Sequence, residues 1–194
     1  MSTMIPFGRL GPLFKRFAGT IYPGETRRLL KEIVRSLEPG GRVLDLGAGT
    51  GILSDIAREE RRDLSYVALD PAMGMLKNAP QYLGKILGKA EDLPFKRGTF
   101  GAVLIGDAIH HVNDPEWAII EVKRVLRKNG TFFIFDIDPD AFMGRAICRV
   151  ERLFREPAGF YPLEKLGDLL TKDGFMVEVR RHDWRYSITA KLTD

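Results

Sequence analysis

The chain has 194 residues, 44% of them hydrophobic, and a net charge of +4, the balance of a single globular domain large enough to bury a core. Its one cysteine, Cys148, excludes an internal disulfide and any paired-cysteine metal or redox site. No apolar run has the length of a membrane span and no signal pattern opens the chain, so the expected location is cytoplasmic.

The charge is unevenly placed. Residues 1–35 carry seven basic and two acidic side chains, whereas residues 36–140 carry 13 basic and 16 acidic ones. The positive balance belongs to the N-terminal arm, and the central region lacks the basic stripe of a nucleic-acid enzyme. In that arm, residues 1–23, Leu10, Leu13, Phe14 and Phe17 have helical spacing and predict a short amphipathic helix between Pro12 and Gly19. It reads as a lid, a membrane-surface contact or a helix docked on the body.

A clearer helix is predicted over 25–37, with Leu29, Leu30, Ile33, Val34 and Leu37 on one face and Pro39-Gly40-Gly41 as its stop. A short apolar strand, Val43 to Leu46, then enters Gly47-Ala48-Gly49-Thr50-Gly51, and a helix follows over 52–60. Strand, glycine turn and helix form a unit in which a ligand can approach the main chain. A dinucleotide fingerprint would need glycine where Ile52 stands, and no Gly-Lys-Ser/Thr ending is present for a triphosphate.

The second strand, 64–69, ends at Asp70-Pro71 and leads to a helix over 72–79, broken by Pro80. A short strand at 85–87 and another at 100–105 follow, the latter ending at Gly106-Asp107. Next come a helix over 115–128, a turn at Asn129-Gly130 and a strand over 131–137. Phe142, Ala146, Val150, Leu153 and Phe154 mark a further helix, whose other face carries Arg145, Arg149, Arg152 and Arg155. A last helix near 162–173 precedes two strands at 175–181 and 184–192. Alternating strands and helices predict an α/β fold with right-handed crossovers and a largely parallel sheet buried on both faces.

Asp70 lies 23 residues after Gly47 at the end of a strand, where a nucleotide-binding sheet places a carboxylate for ribose hydroxyls. It can equally cap the helix that follows. Five stretches occur in order: the glycine turn, Asp70-Pro71-Ala72-Met73, Ala90-Glu91-Asp92-Leu93-Pro94-Phe95, Ala108 to Pro115, and Arg124 to Gly130. Together they resemble the class I S-adenosylmethionine-dependent methyltransferases, in particular those similar to the ubiquinone/menaquinone-biosynthesis enzymes, over roughly residues 25–140.

The resemblance implies a Rossmann-like, doubly wound, mostly parallel seven-stranded sheet with helices on both faces. It also implies S-adenosyl-L-methionine as cofactor and S-adenosyl-L-homocysteine as product. Gly47, Ala48, Gly49 and Gly51 would pass under the methionine part, with Asp45 helping to hold its amino group through the loop. Asp70 and Pro71 would hold the ribose side, and Met75 or Met73 would pack on the adenine. Ala90, Glu91, Asp92 and Leu93 would border the adenine edge, although Lys89 stands where the family carries an acceptor aspartate. Gly106 and Asp107 would close the cofactor site. Asp107, His110 and His111 are the candidate catalytic groups near the methyl, if the acceptor must lose a proton. No His/Cys/carboxylate grouping in the sequence points to a metal.

The expected organisation is one domain: the arm or lid at 1–23, a cofactor core at 25–137, a helical insertion at 138–160, and a C-terminal helix and strand pair at 161–194. The acceptor expected is small and mostly apolar, quinone-like or lipid-like, bearing in some cases a carboxylate or phosphate, held by the arm and the insertion. Two alternatives stay open, an RNA or protein methyltransferase docking through the basic arm and a catalytically lapsed cofactor-binding partner subunit. The oligomeric state is open, a homodimer included. One glutamine, three asparagines and one cysteine among abundant Lys, Arg and Glu form a thermophilic signature. A reversible melt above about 65 °C, the upper end for mesophile domains, is the expected outcome in scanning calorimetry, and a lower midpoint would contradict it.

Overall fold

The computed structural model describes residues 22–153 and 159–193. The arm helix expected between Pro12 and Gly19 lies outside the described residues. Helix α1 spans Gly24–Arg35 and buries Leu29, Leu30, Ile33 and Val34, the face that the sequence spacing marked. Strand β1, Arg42–Leu46, leads through the glycine turn into α2, Ile52–Glu60. Strand β2 is Ser65–Asp70, α3 is Met73–Leu76 and β3 is Gly84–Leu87. Strand β4, Phe100–Gly106, is followed by a 3-10 turn at Ile109–His111 and by α4, Pro115–Val125. Strand β5 is Leu126–Ile137, α5 is Phe142–Leu153, α6 is Leu163–Lys172, β6 is Phe175–His182 and β7 is Arg185–Leu192.

All seven strands join one sheet in the order β3-β2-β1-β4-β5-β7-β6. The first five run parallel, and β7 pairs antiparallel with both β5 and β6. Side chains alternate across it. Leu44, Leu46, Val103, Ile105, Phe132 and Ile134 face one core with α4 and α6. Val43, Ala102, Leu104, Phe133 and Phe135 face the other with α1 and α2. This two-sided burial explains why these strands read as unbroken apolar runs.

Two elements differ from the sequence reading. The helix expected over 72–79 closes only one turn, because the chain tightens through bonds from Asn78 N to Met75 O and Ala79 N to Leu76 O before Pro80. The helix expected to reach 128 stops at Val125, and β5 begins five residues early at Leu126. There Leu126 pairs with Phe100, and the register shifts before Ala102 pairs with Thr131. Asn129, at φ 61°, makes the turn that absorbs the extra residues.

Strands β1 and β4 are neighbours although β2 and β3 intervene in sequence. Crossovers therefore leave in opposite directions on either side of that pair, opening a crevice at the carboxyl ends. The glycine turn after β1 and Gly106-Asp107 after β4 flank it.

Candidate active site

The glycine turn is built by backbone geometry. Gly47, Gly49 and Gly51 have φ of 64°, 54° and 80°, values that L side chains rarely adopt. A Cβ on Gly47 would stand 2.8 Å from the Cβ of Ala108, and one on Gly51 would stand 2.8 Å from Leu83 Cδ1. The turn is tied to β2, since the N–H groups of Gly47 and Ala48 both donate to the Leu69 carbonyl, at 2.8 and 3.2 Å.

Asp70, buried at the end of β2, accepts from Gly49 N–H at 2.8 Å and from Ala72 N–H at 2.7 Å. Each carboxylate oxygen thus takes one backbone N–H, Oδ2 from the glycine loop and Oδ1 from the turn into α3. Burial raises its pKa, and the two N–H donors oppose the rise. Asp45 is almost fully buried beneath the loop, accepting from Ser54 N–H at 3.0 Å and from the Ser54 hydroxyl at 2.6 Å. It fixes the first turn of α2, which has no side-chain cap at Gly51. Desolvation pushes its pKa up to about 7.

On the β2 side, Met75 rather than Met73 lies over the loop: its Cε would be 3.3 Å from a Cβ on Gly49, while Met73 is 48% exposed. Pro71 is exposed beside them. Ala90 and Leu93 are buried, and the Leu93 N–H donates to Glu121 Oε2 at 2.9 Å. Glu91 is engaged elsewhere, accepting from the N–H groups of Asn113 and Asp114 before α4, whereas Asp92 is exposed.

Beyond β4 the three candidate catalytic groups lie together but differ in their partners. His110 is buried, and its Nδ1 lies 2.6 Å from Asp136 Oδ1. Asp136 also accepts from Ile109 N–H at 3.1 Å and from its neighbour Ile137 N–H at 2.7 Å. An ionised carboxylate can only accept, so Asp136 orients the ring with its Nδ1 side towards the carboxylate. Phe160 stacks on the His110 ring at 4.7 Å and 11°. His111 packs against it at 4.0 Å, and burial lowers its pKa to about 4, so it is neutral near pH 7. Asp107 takes a left-handed φ of 55°, its N–H donates to Phe135 O, and its Oδ1 is buried without a hydrogen-bond partner. Burial and the nearby Asp136 push its pKa up, against His110 and Arg185.

Asp107, His110 and Asp136 bring ligand-type atoms within 4.8 Å of one another. The filled shell of Asp136 makes this the arrangement of an oriented histidine rather than of an open cation site. Asp136 was missed in the sequence, although it is the only charged residue in the run Thr131 to Ile137, a signal that was there to read. Tyr22 and Arg185 were missed too, since nothing local marks either. Two surface recesses of about 320 and 300 Å³, one lined by Arg97, Lys123 and Leu192 and one along α1, lie away from this crevice.

A family model described as a methyltransferase domain matches residues 44–134. A demethylmenaquinone methyltransferase of Renibacterium salmoninarum is 33% identical over 141 residues, 70% of this chain and 59% of that protein. An uncharacterised protein of Methanocaldococcus jannaschii is 31% identical over 158 residues, 80% of this chain and 72% of that protein. The chain thus spans less than two thirds of the first relative. In structure, an S-adenosylmethionine-dependent methyltransferase of Thermotoga maritima, titled a possible histamine N-methyltransferase, superposes with a TM-score of 0.74. It shares 24% identity over 95% of this chain and 97% of that one, a likeness of fold.

The buried carboxylate gives a pH test. With a folded pKa near 7 and an unfolded value of about 3.9, Asp45 binds more proton in the folded state between about pH 4 and 7, so its contribution to stability falls as pH rises through that window. His111 acts oppositely, because its unfolded value of about 6.5 exceeds its folded one, so its contribution rises with pH between about 4 and 6.5. Asp45→Asn keeps an acceptor for Ser54 and removes the first effect. Its melting temperature should therefore climb more steeply from pH 4 to 7 than that of the unsubstituted protein, and parallel profiles would contradict the assignment.

Proposed function

Since this chain belongs to the class I S-adenosylmethionine-dependent methyltransferases, similar to the quinone-biosynthesis enzymes, we propose that it methylates a small, largely apolar acceptor that must lose a proton. The residues present fit the cofactor. Three left-handed glycines leave a cradle that a Cβ on Gly49 would begin to fill, and Asp70 offers the ribose a carboxylate at its edge. When bound, the cofactor supplies a methyl already activated on a sulfonium. In this reading Gly47 to Gly51 support its methionine part, Asp70 its ribose, and Met75 its adenine.

The observation that carries the acceptor class is the pair His110–Asp136 at the carboxyl ends of β4 and β5. A histidine whose Nδ1 is held by a buried carboxylate accepts a proton at Nε2, which suits an acceptor with an acidic O–H or C–H. A sulfonium methyl needs no such group when the acceptor already has a lone pair to give. The aromatic ring of Phe160 on the imidazole supports an apolar acceptor, as do Phe142 (81% exposed) and Met143 where α5 begins beyond β5. One relative is named a demethylmenaquinone methyltransferase, and a quinone reduced to its quinol carries an acidic O–H on an apolar ring. The RNA reading is less supported, because Arg27 and Lys31 on α1 pair with Glu59, and Arg35 pairs with Glu60.

Transfer of labelled methyl from S-adenosylmethionine to demethylmenaquinol, and to transfer RNA as the rival acceptor, is the test. His110→Asn and Asp136→Asn should each lower kcat by about 10²–10⁴-fold, the usual worth of a general base, while S-adenosylhomocysteine binding stays within about twofold. A full rate in His110→Asn, or transfer to RNA alone, would overturn the proposal.

A further inference from the structure

Tyr22 is the first described residue of the chain, and no motif accounts for it. Its side chain is 4% exposed, and its ring lies 5.1 Å from that of Phe135 at 45°. Phe135 is the β5 partner of Gly106 in the last rung between β4 and β5. A Cβ on Gly106 would stand 2.6 Å from the Tyr22 hydroxyl and 3.1 Å from its Cε1. Glycine at 106 is therefore what lets the phenol reach the carboxyl end of β4. A tyrosine needed only as apolar filling would not bring its one polar atom to the ligand-facing end of the sheet.

The charged groups whose field reaches that hydroxyl come from four elements. Asp45 belongs to β1, Asp107 follows β4, Asp136 belongs to β5 and Arg185 opens β7. Burial first, and then the three carboxylates, push the phenol pKa well above its ordinary value, with Arg185 opposing. The hydroxyl therefore keeps its proton and remains a donor at any pH near 7.

The sheet order decides what the donor meets. Asp70 marks the ribose side on β2, the glycine turn follows β1, and Gly106 ends β4, three adjacent strands in that order. A ligand with its ribose on Asp70 that runs along the turn delivers its amino-acid end to Gly106. That end carries an ammonium, suited to the acidic side chains Asp45 and Asp107, and a carboxylate, suited to a neutral donor near the start of α2, where Gly51 offers no side-chain cap.

We propose that Tyr22 is a cofactor-positioning residue whose hydroxyl donates to the methionine carboxylate and so fixes the far end of S-adenosylmethionine. This rests on the cofactor reading above. Tyr22→Phe keeps the ring on Phe135 and removes only the donor. Titration calorimetry with S-adenosylmethionine and with its decarboxylated form separates the possibilities. The variant should bind S-adenosylmethionine about tenfold or more weakly, as for a lost hydrogen bond to a charged group, and bind the decarboxylated form as the unsubstituted protein does. Unchanged binding of both ligands, or equal weakening of both, would overturn the proposal. If the unsubstituted protein binds neither, the cofactor reading itself fails and this assignment falls with it.

Discussion

Two short hydrogen bonds at the end of β2 govern the site. The Asp70 carboxylate grips Gly49 N–H and Ala72 N–H, at 2.8 and 2.7 Å, so one side chain sets both the glycine loop and the turn into α3. Three of the five loop residues are glycines, with no side chain to hold the shape. The loop's left-handed angles persist because Leu69 O takes the N–H groups of Gly47 and Ala48 from one side and Asp45 pins the first turn of α2 from below. The apolar sheet gives this frame rigidity, with Leu44, Leu46 and Leu69 all buried under the turn. Placing charged groups there is costly, as the raised pKa values of Asp45 and Asp70 show, and the donors around each offset part of that cost.

Across the crevice a second polar group is arranged on the same principle. Asp136 lies in an otherwise apolar strand end and is satisfied by two N–H groups and His110. A buried carboxylate with all its partners in place holds an imidazole in one orientation, which a surface pair would not do. The two carboxylate-anchored halves, Asp70 with the loop and Asp136 with His110, sit on opposite sides of the β1–β4 switch. A cofactor on one half and an acceptor on the other would meet above Gly106 and Asp107.

Much of this was legible in the sequence because it depends on local rules. The glycines at 47, 49 and 51 marked the tight turn, Asp70 marked a strand end, and the alternation of apolar strands and helices marked the α/β fold. The β5–β7–β6 end was read as two trailing strands, and the antiparallel order follows only from pairing over long range. The roles of the two histidines were not readable. Adjacent residues in a turn look equivalent until Asp136, 26 positions on, selects His110. Glu91 shows the same dependence on long-range contacts, since its carboxylate holds the N–H groups of Asn113 and Asp114 ahead of α4, which no local pattern announces. Tyr22 acquires meaning only through the missing side chain of Gly106.

The central claim is that Asp70 and the glycine loop form a binding site for S-adenosylmethionine. Calorimetric titration of the full chain and of Asp70→Ala with S-adenosylhomocysteine, with NADH as the control nucleotide, tests it most directly. Binding of S-adenosylhomocysteine in preference to NADH is expected, weakened by about tenfold or more in Asp70→Ala, as for loss of hydrogen bonds to a charged acceptor. Equal affinity in the two proteins, or NADH binding as tightly as S-adenosylhomocysteine, would contradict it.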